Sequence, residues 1–317
     1  MPTSNTLSTL AMVFPGQGSQ SIGMLSALAD AFPQVGETFA SASSVLGYNL
    51  WERVQNGPAE ALNQTACTQP AMLAAGVATW RCWQAKTDIV PALMAGHSLG
   101  EYTALVCSGA IEFTDAIALV EKRGEFMQAA VPEGIGAMAA ILGLEDEQVE
   151  AVCKEASQGE VVSAVNFNSP GQVVIAGNSA AVERAMRLAK TAGAKRALPL
   201  PVSVPSHCSL MESAAKQLAE QLAGLSIQVP SIPVIHNVDA LPHNNVVDIC
   251  AALTAQLHRP VRWVECVRTM HTQGVNTLVE AGPGKVLAGL TRRIEKTLSG
   301  VPVQSVDNLN KAIDLVN

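Results

Sequence analysis

Gly96-His97-Ser98-Leu99-Gly100 sets a serine between two glycines. This is the spacing of a nucleophile elbow, where a strand turns sharply into a helix and exposes a strained hydroxyl. Small residues are required on either side because the tight turn leaves no room for larger ones. The five residues alone also allow a plain glycine-flanked loop serine. A serine nucleophile needs a general base, and the chain has six histidines. His97 abuts Ser98 and should point away from it. His236, His243, His258 and His271 lie in ordinary helix, strand or loop contexts. His207, in PVSVPSHCSL, follows an apolar strand and precedes a helix. That placement suits a site residue, and equally a capping or core histidine.

Arg123 falls on a helical stripe with Ala116, Val120 and Met127, so it should face the core. A buried guanidinium must be paired, because leaving it alone costs several kcal/mol. Its partner is either one of the chain's own carboxylates or the carboxylate of a ligand, which a guanidinium can grip bidentately.

Two glycine-rich stretches do not carry the chemistry they first suggest. GQGSQS at 16–21 has Ser21 where a dinucleotide fingerprint needs its third glycine, although Glu37 lies near the distance of a ribose contact. It reads better as a loop presenting backbone N–H groups at a strand end. GPGK at 282–285 lacks P-loop spacing, and Val286 stands where magnesium would need Ser or Thr. It reads as a turn and a helix start.

The elements around these residues are legible. LAMVF (10–14) is a buried strand feeding the glycine-rich loop, and ALMA (92–95) delivers the chain to Gly96. A helix should follow Ser98 and end near Gly109. Thr114 should cap the next helix, 114–130, with Asp115 in its first turn. From about 135 to 201 the order is strand, acidic-capped helix, strand, turn, strand, helix, strand, the βαββαβ unit of a split ferredoxin-like fold. Helix–strand alternation resumes afterwards, with helices near 209–223, 246–257, 261–272 and 284–296, and strands at IPVIHNV and NTLVEA.

The bulk numbers fit one large α/β domain carrying an insertion. Of 317 residues, 48% are hydrophobic and 15% charged, enough apolar surface for a substantial core of parallel strands under alanine-rich helices. A net charge of −7 disfavours nucleic-acid binding as the main role. Seven cysteines without CxxC or Cys/His spacing read as reduced thiols, giving neither a disulfide frame nor a zinc site. Cys208, beside His207, reads as packing. The first 29 residues are uncharged but lack a basic segment and are broken by PGQGSQS, so neither a signal peptide nor a membrane span fits. The expectation is a cytoplasmic protein.

VFPGQGSQ, TQPA, GHSLGEY, RGEFMQ, NFNSPGQVVIAG, PVSVPSHC, QL..PV.W and VEAGPGKVL, in that order over residues 12–295, resemble the malonyl-CoA:acyl carrier protein transacylases of the stand-alone bacterial type. The resemblance implies an α/β-hydrolase-like large domain, 1–131 and 202–317, with a ferredoxin-like subdomain inserted at 132–201. It implies Ser98 as nucleophile and His207 as base, with the histidine oriented by the main-chain carbonyl of Gln256 instead of a carboxylate. Backbone N–H groups of Gln17 and Leu99 would form the oxyanion hole. Arg123 would bind the acyl carboxylate, with Gln69 as another pocket residue.

Modular polyketide acyltransferases often carry HAFH ending at the active histidine. VPSH here matches the stand-alone type and leaves Ser206 beside the pocket. The implied reaction moves a malonyl group from malonyl-CoA to the phosphopantetheine thiol of acyl carrier protein through a malonyl-serine ester, for fatty-acid or polyketide elongation. It implies no metal and no cofactor. The alternatives are a serine hydrolase, which would have little use for Arg123, and a binding protein that has lost its chemistry, although every residue needed for acylation is present.

Overall fold

The computed structural model describes residues 5–202 and 204–317. Its strands are β1 (Asn5–Phe14), β2 (Ile89–Gly96), β3 (Gly136–Leu142), β4 (Val162–Ser169), β5 (Gln172–Asn178), β6 (Arg196–Pro199), β7 (Val234–Ile235), β8 (Thr277–Ala281) and β9 (Ser299–Val303). They sort into a five-stranded sheet, β7-β2-β1-β8-β9, and a four-stranded sheet, β4-β5-β3-β6. All pairings in the first are parallel, and all in the second are antiparallel.

β1 is interior to the parallel sheet, which explains its unbroken apolar run. Leu10, Met12 and Phe14 point into one core with the helix Thr65–Lys86, while Ala11 and Val13 point into another with Trp263 and Val267. Side chains alternate faces along a strand, so each face of the sheet is covered by its own helices. The C-terminal ends of β1 and β2 run side by side, Phe14 opposite Gly96. That edge carries the elbow.

β3 to β6, with the helices Asp146–Ser157 and Ser179–Thr191 between them, close a separate core around Ala139, Ile141, Val149, Ile175 and Val182. The first of these helices starts with a capping box, in which the Glu145 side chain accepts a backbone N–H and the Gln148 side chain accepts from Glu145 N. β4 is stitched to the segment between the helices Val246–Gln256 and Trp263–Thr272, where Val261 N–H donates to Val165 O at 2.8 Å and Phe167 N–H to Val261 O at 3.0 Å.

Some local expectations need correction. The helix of Arg123 runs Phe113–Ala130, with Glu112 at its N-cap and no side-chain cap, so Thr114 lies inside it. IPVIHNV contributes only the two paired residues of β7. Residues 26–86 hold five helices that the periodicity did not reveal. The longest of them, Thr65–Lys86, is buried all round from Cys67 to Trp80, and a helix buried on every side shows no amphipathic period.

Candidate active site

β2 ends at Gly96 and the helix Leu99–Cys107 begins at Leu99, which leaves Ser98 at the N-cap with φ 51° and ψ −109°. A non-glycine residue there is strained by about 1–3 kcal/mol and persists only if its surroundings over-determine it. The flanking glycines remove the steric obstacle. A Cβ on Gly96 would come within 1.8 Å of the Gly100 carbonyl carbon, and one on Gly100 within 2.0 Å of Phe14 O.

Hydrogen bonds supply the rest of the constraint. Ser98 N–H donates to Asn237 Oδ1 at 2.8 Å, and Ser98 O accepts from Gln256 Nε2 at 2.9 Å. Asn237 in turn donates to Gly96 O at 2.7 Å. The sequence did not mark Asn237; its only signal was a polar residue two positions beyond the apolar pair that forms β7.

His207 is 3% exposed and also sits at positive φ, 67°. Its N–H donates to Leu257 O at 2.9 Å, and Nδ1 lies 2.6 Å from Gln256 O. A carbonyl only accepts, so Nδ1 carries the ring proton and Nε2 is left bare. Nε2 lies 2.8 Å from Ser98 Oγ, placed to accept its proton. Burial, then the nearby Arg123 charge, lowers the His207 pKa to about 3. The imidazole is therefore neutral near pH 7, the form a general base requires.

Arg123 is 1% exposed, and its stripe of Ala116, Val120 and Met127 is buried with it. Its Nη1 donates to Gln69 Oε1 at 2.8 Å and its Nη2 to Gln256 Oε1 at 3.0 Å, while Nη2 lies 3.5 Å from Ser98 Oγ. Both amides are neutral. Among the described residues no carboxylate lies within 4.0 Å of the guanidinium. The internal ion pair that the sequence left open is absent from these residues, and the guanidinium touches only neutral partners beside the serine.

A cavity of about 100 Å³ opens over these groups, lined by Ser98, Arg123, His207, Gln17 and Leu99 with Met127, Met138 and Val204. Ser206 is on its wall, as expected. His97 lines it too but does not bond Ser98; its Nε2 meets Asn168 Oδ1 at 2.8 Å, tying the elbow to β4. His243, His258 and His271 stand elsewhere, and Cys208 is buried with its thiol on Pro205 O. The GPGK turn precedes the helix Val286–Ile294, whose first N–H groups are accepted by buried Glu280, at 3.1 Å from Leu287 and 2.7 Å from Ala288. No helix among the described residues is long and apolar enough to cross a membrane.

Comparison with known proteins shows the family. The model of the acyl transferase domain family matches residues 11–312. The malonyl CoA-acyl carrier protein transacylase of Escherichia coli strain K12 is 57% identical over 309 residues, 98% of this chain and 100% of that protein. Its counterpart in Haemophilus influenzae is 60% identical over 301 residues, 95% and 96% of the two chains. The crystal structure of an acyl carrier protein S-malonyltransferase from Vibrio cholerae superposes with a TM-score of 0.94 at 62% identity, covering 96% and 99%. A type II PKS acyl-carrier protein in complex with its malonyl-transacylase also matches, with a TM-score of 0.95 at 58% identity over 96% and 99%. The chain belongs to the acyl transferase domain family, among the malonyl CoA-acyl carrier protein transacylases.

Proposed function

We propose that Ser98 takes the malonyl group of malonyl-CoA and passes it to the phosphopantetheine thiol of an acyl carrier protein. The observation that carries this reading is the buried Arg123, held by two neutral amides 3.5 Å from the Ser98 hydroxyl. A hydrolase of neutral esters has no use for a cation without a direct carboxylate partner there, whereas a malonyl thioester brings a carboxylate.

In the first step His207 Nε2 takes the Ser98 proton as Oγ attacks the thioester carbonyl. The oxyanion accepts from the N–H groups of Leu99 and Gln17, aided by the positive end of the helix Leu99–Cys107. The intermediate collapses to malonyl-serine, and the CoA sulfur leaves with the proton from Nε2. In the second step the carrier's thiol gives its proton to Nε2 and attacks the ester carbonyl, and Ser98 leaves with that proton restored. A substrate carboxylate on Arg123 also offsets one cause of the lowered His207 pKa, so binding the correct acyl group strengthens the base. The two steps balance without a metal or redox cofactor.

The lone sheet and separate core of residues 136–199 support a ferredoxin-like subdomain spanning 132–201, inserted into an α/β-hydrolase-like domain of 1–131 and 202–317. Seven free cysteines suit a reducing cytoplasm. The carrier serves fatty-acid or polyketide synthesis.

Arg123→Ala tests the reading. Removing one partner of a buried charge pair costs about 2–5 kcal/mol, so malonyl kcat/KM should fall roughly thirtyfold or more. Acetyl-CoA has no carboxylate, and its turnover should hold or improve. An equal fall for both in folded protein would assign Arg123 a structural role.

A further inference from the structure

Glu101 is fully buried in the first turn of the helix Leu99–Cys107, and the transfer steps do not use it. Its Oε2 accepts from Asn237 N–H at 2.9 Å and from Gln256 Nε2 at 2.8 Å; its Oε1 faces His236 Nδ1 at 2.8 Å. We propose that Glu101 is a positioning residue for acyl selection, locking the Gln256 amide so that its oxygen faces Arg123. The proposal rests on the reading of Arg123 given above.

The amide orientation follows from its neighbours. Gln256 Nε2 is surrounded by oxygens: Glu101 Oε2, Ser98 O at 2.9 Å and Asn237 Oδ1 at 3.3 Å. A flipped amide would point its own oxygen at these acceptors and its NH2 at a guanidinium that can only donate. The lock therefore turns Gln256 Oε1 toward Arg123 Nη2, at 3.0 Å. Glu101 is the acceptor nearest Nε2, and of the two side-chain acceptors it is the one that does not itself accept from Ser98 N–H.

What the lock requires is an acceptor oxygen, not a charge. Glu101→Gln keeps an oxygen for Asn237 and Gln256 and turns its NH2 toward His236. The ring proton of His236 can then move to Nε2, which has no hydrogen-bond partner among the described residues, freeing Nδ1 to accept. Glu101→Ala removes the acceptor altogether.

The test compares rates of acyl-enzyme formation from malonyl-CoA and acetyl-CoA on the full chain, for wild type, Glu101→Ala, Glu101→Gln and Arg123→Ala. Glu101→Ala should narrow the malonyl-to-acetyl ratio of kcat/KM about tenfold, the scale of one hydrogen bond to a charged group. Glu101→Gln should keep the ratio within about threefold of wild type. An unchanged ratio in Glu101→Ala, or a loss in Glu101→Gln as deep as in alanine, overturns the proposal. Should Glu101→Ala fail to fold, Glu101→Leu carries the test, because it fills the space and offers no acceptor oxygen to Gln256 Nε2; a narrowed ratio supports the lock and an unchanged one overturns it. If Arg123→Ala itself leaves the ratio alone, the reading of Arg123 is what has failed.

Discussion

Arg123 donates through Nη1 to the side-chain oxygen of Gln69 at 2.8 Å, a cation held by a neutral amide in the interior. A carboxylate at that position would hold the guanidinium as well and would also neutralise it. Gln69→Glu should therefore compete with the substrate carboxylate. Malonyl kcat/KM should drop about tenfold or more while acetyl transfer falls far less. Full malonyl activity in this variant would mean that the charge of Arg123 is not what the substrate reads.

His207 links pH to stability. Its value in the folded protein, about 3, lies below the ordinary 6.5, so its contribution is complete above about pH 6.5 and is lost as pH falls toward 3. Across that window it should tilt unfolding free energy by about 1.4 kcal/mol per pH unit, with stability rising with pH. Denaturant titrations from pH 4 to 7 should show a shallower slope for His207→Gln than for wild type. Parallel slopes would show that the imidazole is not held neutral.

Carrier docking should depend on local basic residues despite the net charge of −7. Lys195 and Arg196 at the start of β6, and Lys285, Arg292 and Arg293 by the helix Val286–Ile294, are all exposed. Arg293 also donates to Gln172 Oε1 of β5 at 2.7 Å, which ties that helix to the antiparallel sheet. Reversing Lys195 with Arg196, or Lys285 with Arg292, should raise the carrier's KM several-fold, less so at high salt, and should leave acylation by malonyl-CoA intact. A KM indifferent to both changes and to salt would place docking elsewhere.

The sequence revealed the parts of the site that obey local rules. Gly96 and Gly100 betray the elbow because no side chain fits there, and Arg123 stands out as the one charge on an apolar stripe. His207 was ambiguous, since what makes it a base is contact with residues 49 and 109 positions away. Glu101, His236 and Asn237 were missed for the same reason: each is an ordinary polar residue until β7 and the elbow helix bring them together. The helix Thr65–Lys86, which delivers Gln69, hid behind its uniform burial. Pattern shows which residues face inward; only the fold shows which polar groups meet.

The central claim, that Ser98 carries the acyl group between two thiols, is tested most directly by intact-protein mass. Malonyl-CoA alone should add one malonyl group to the wild-type chain, mapped to Ser98, and adding a carrier protein bearing its pantetheine arm should remove that mass and deposit it on the carrier. Ser98→Ala should take no label. Label on another residue, equal labelling of the alanine variant, or malonyl released only to water would contradict the account.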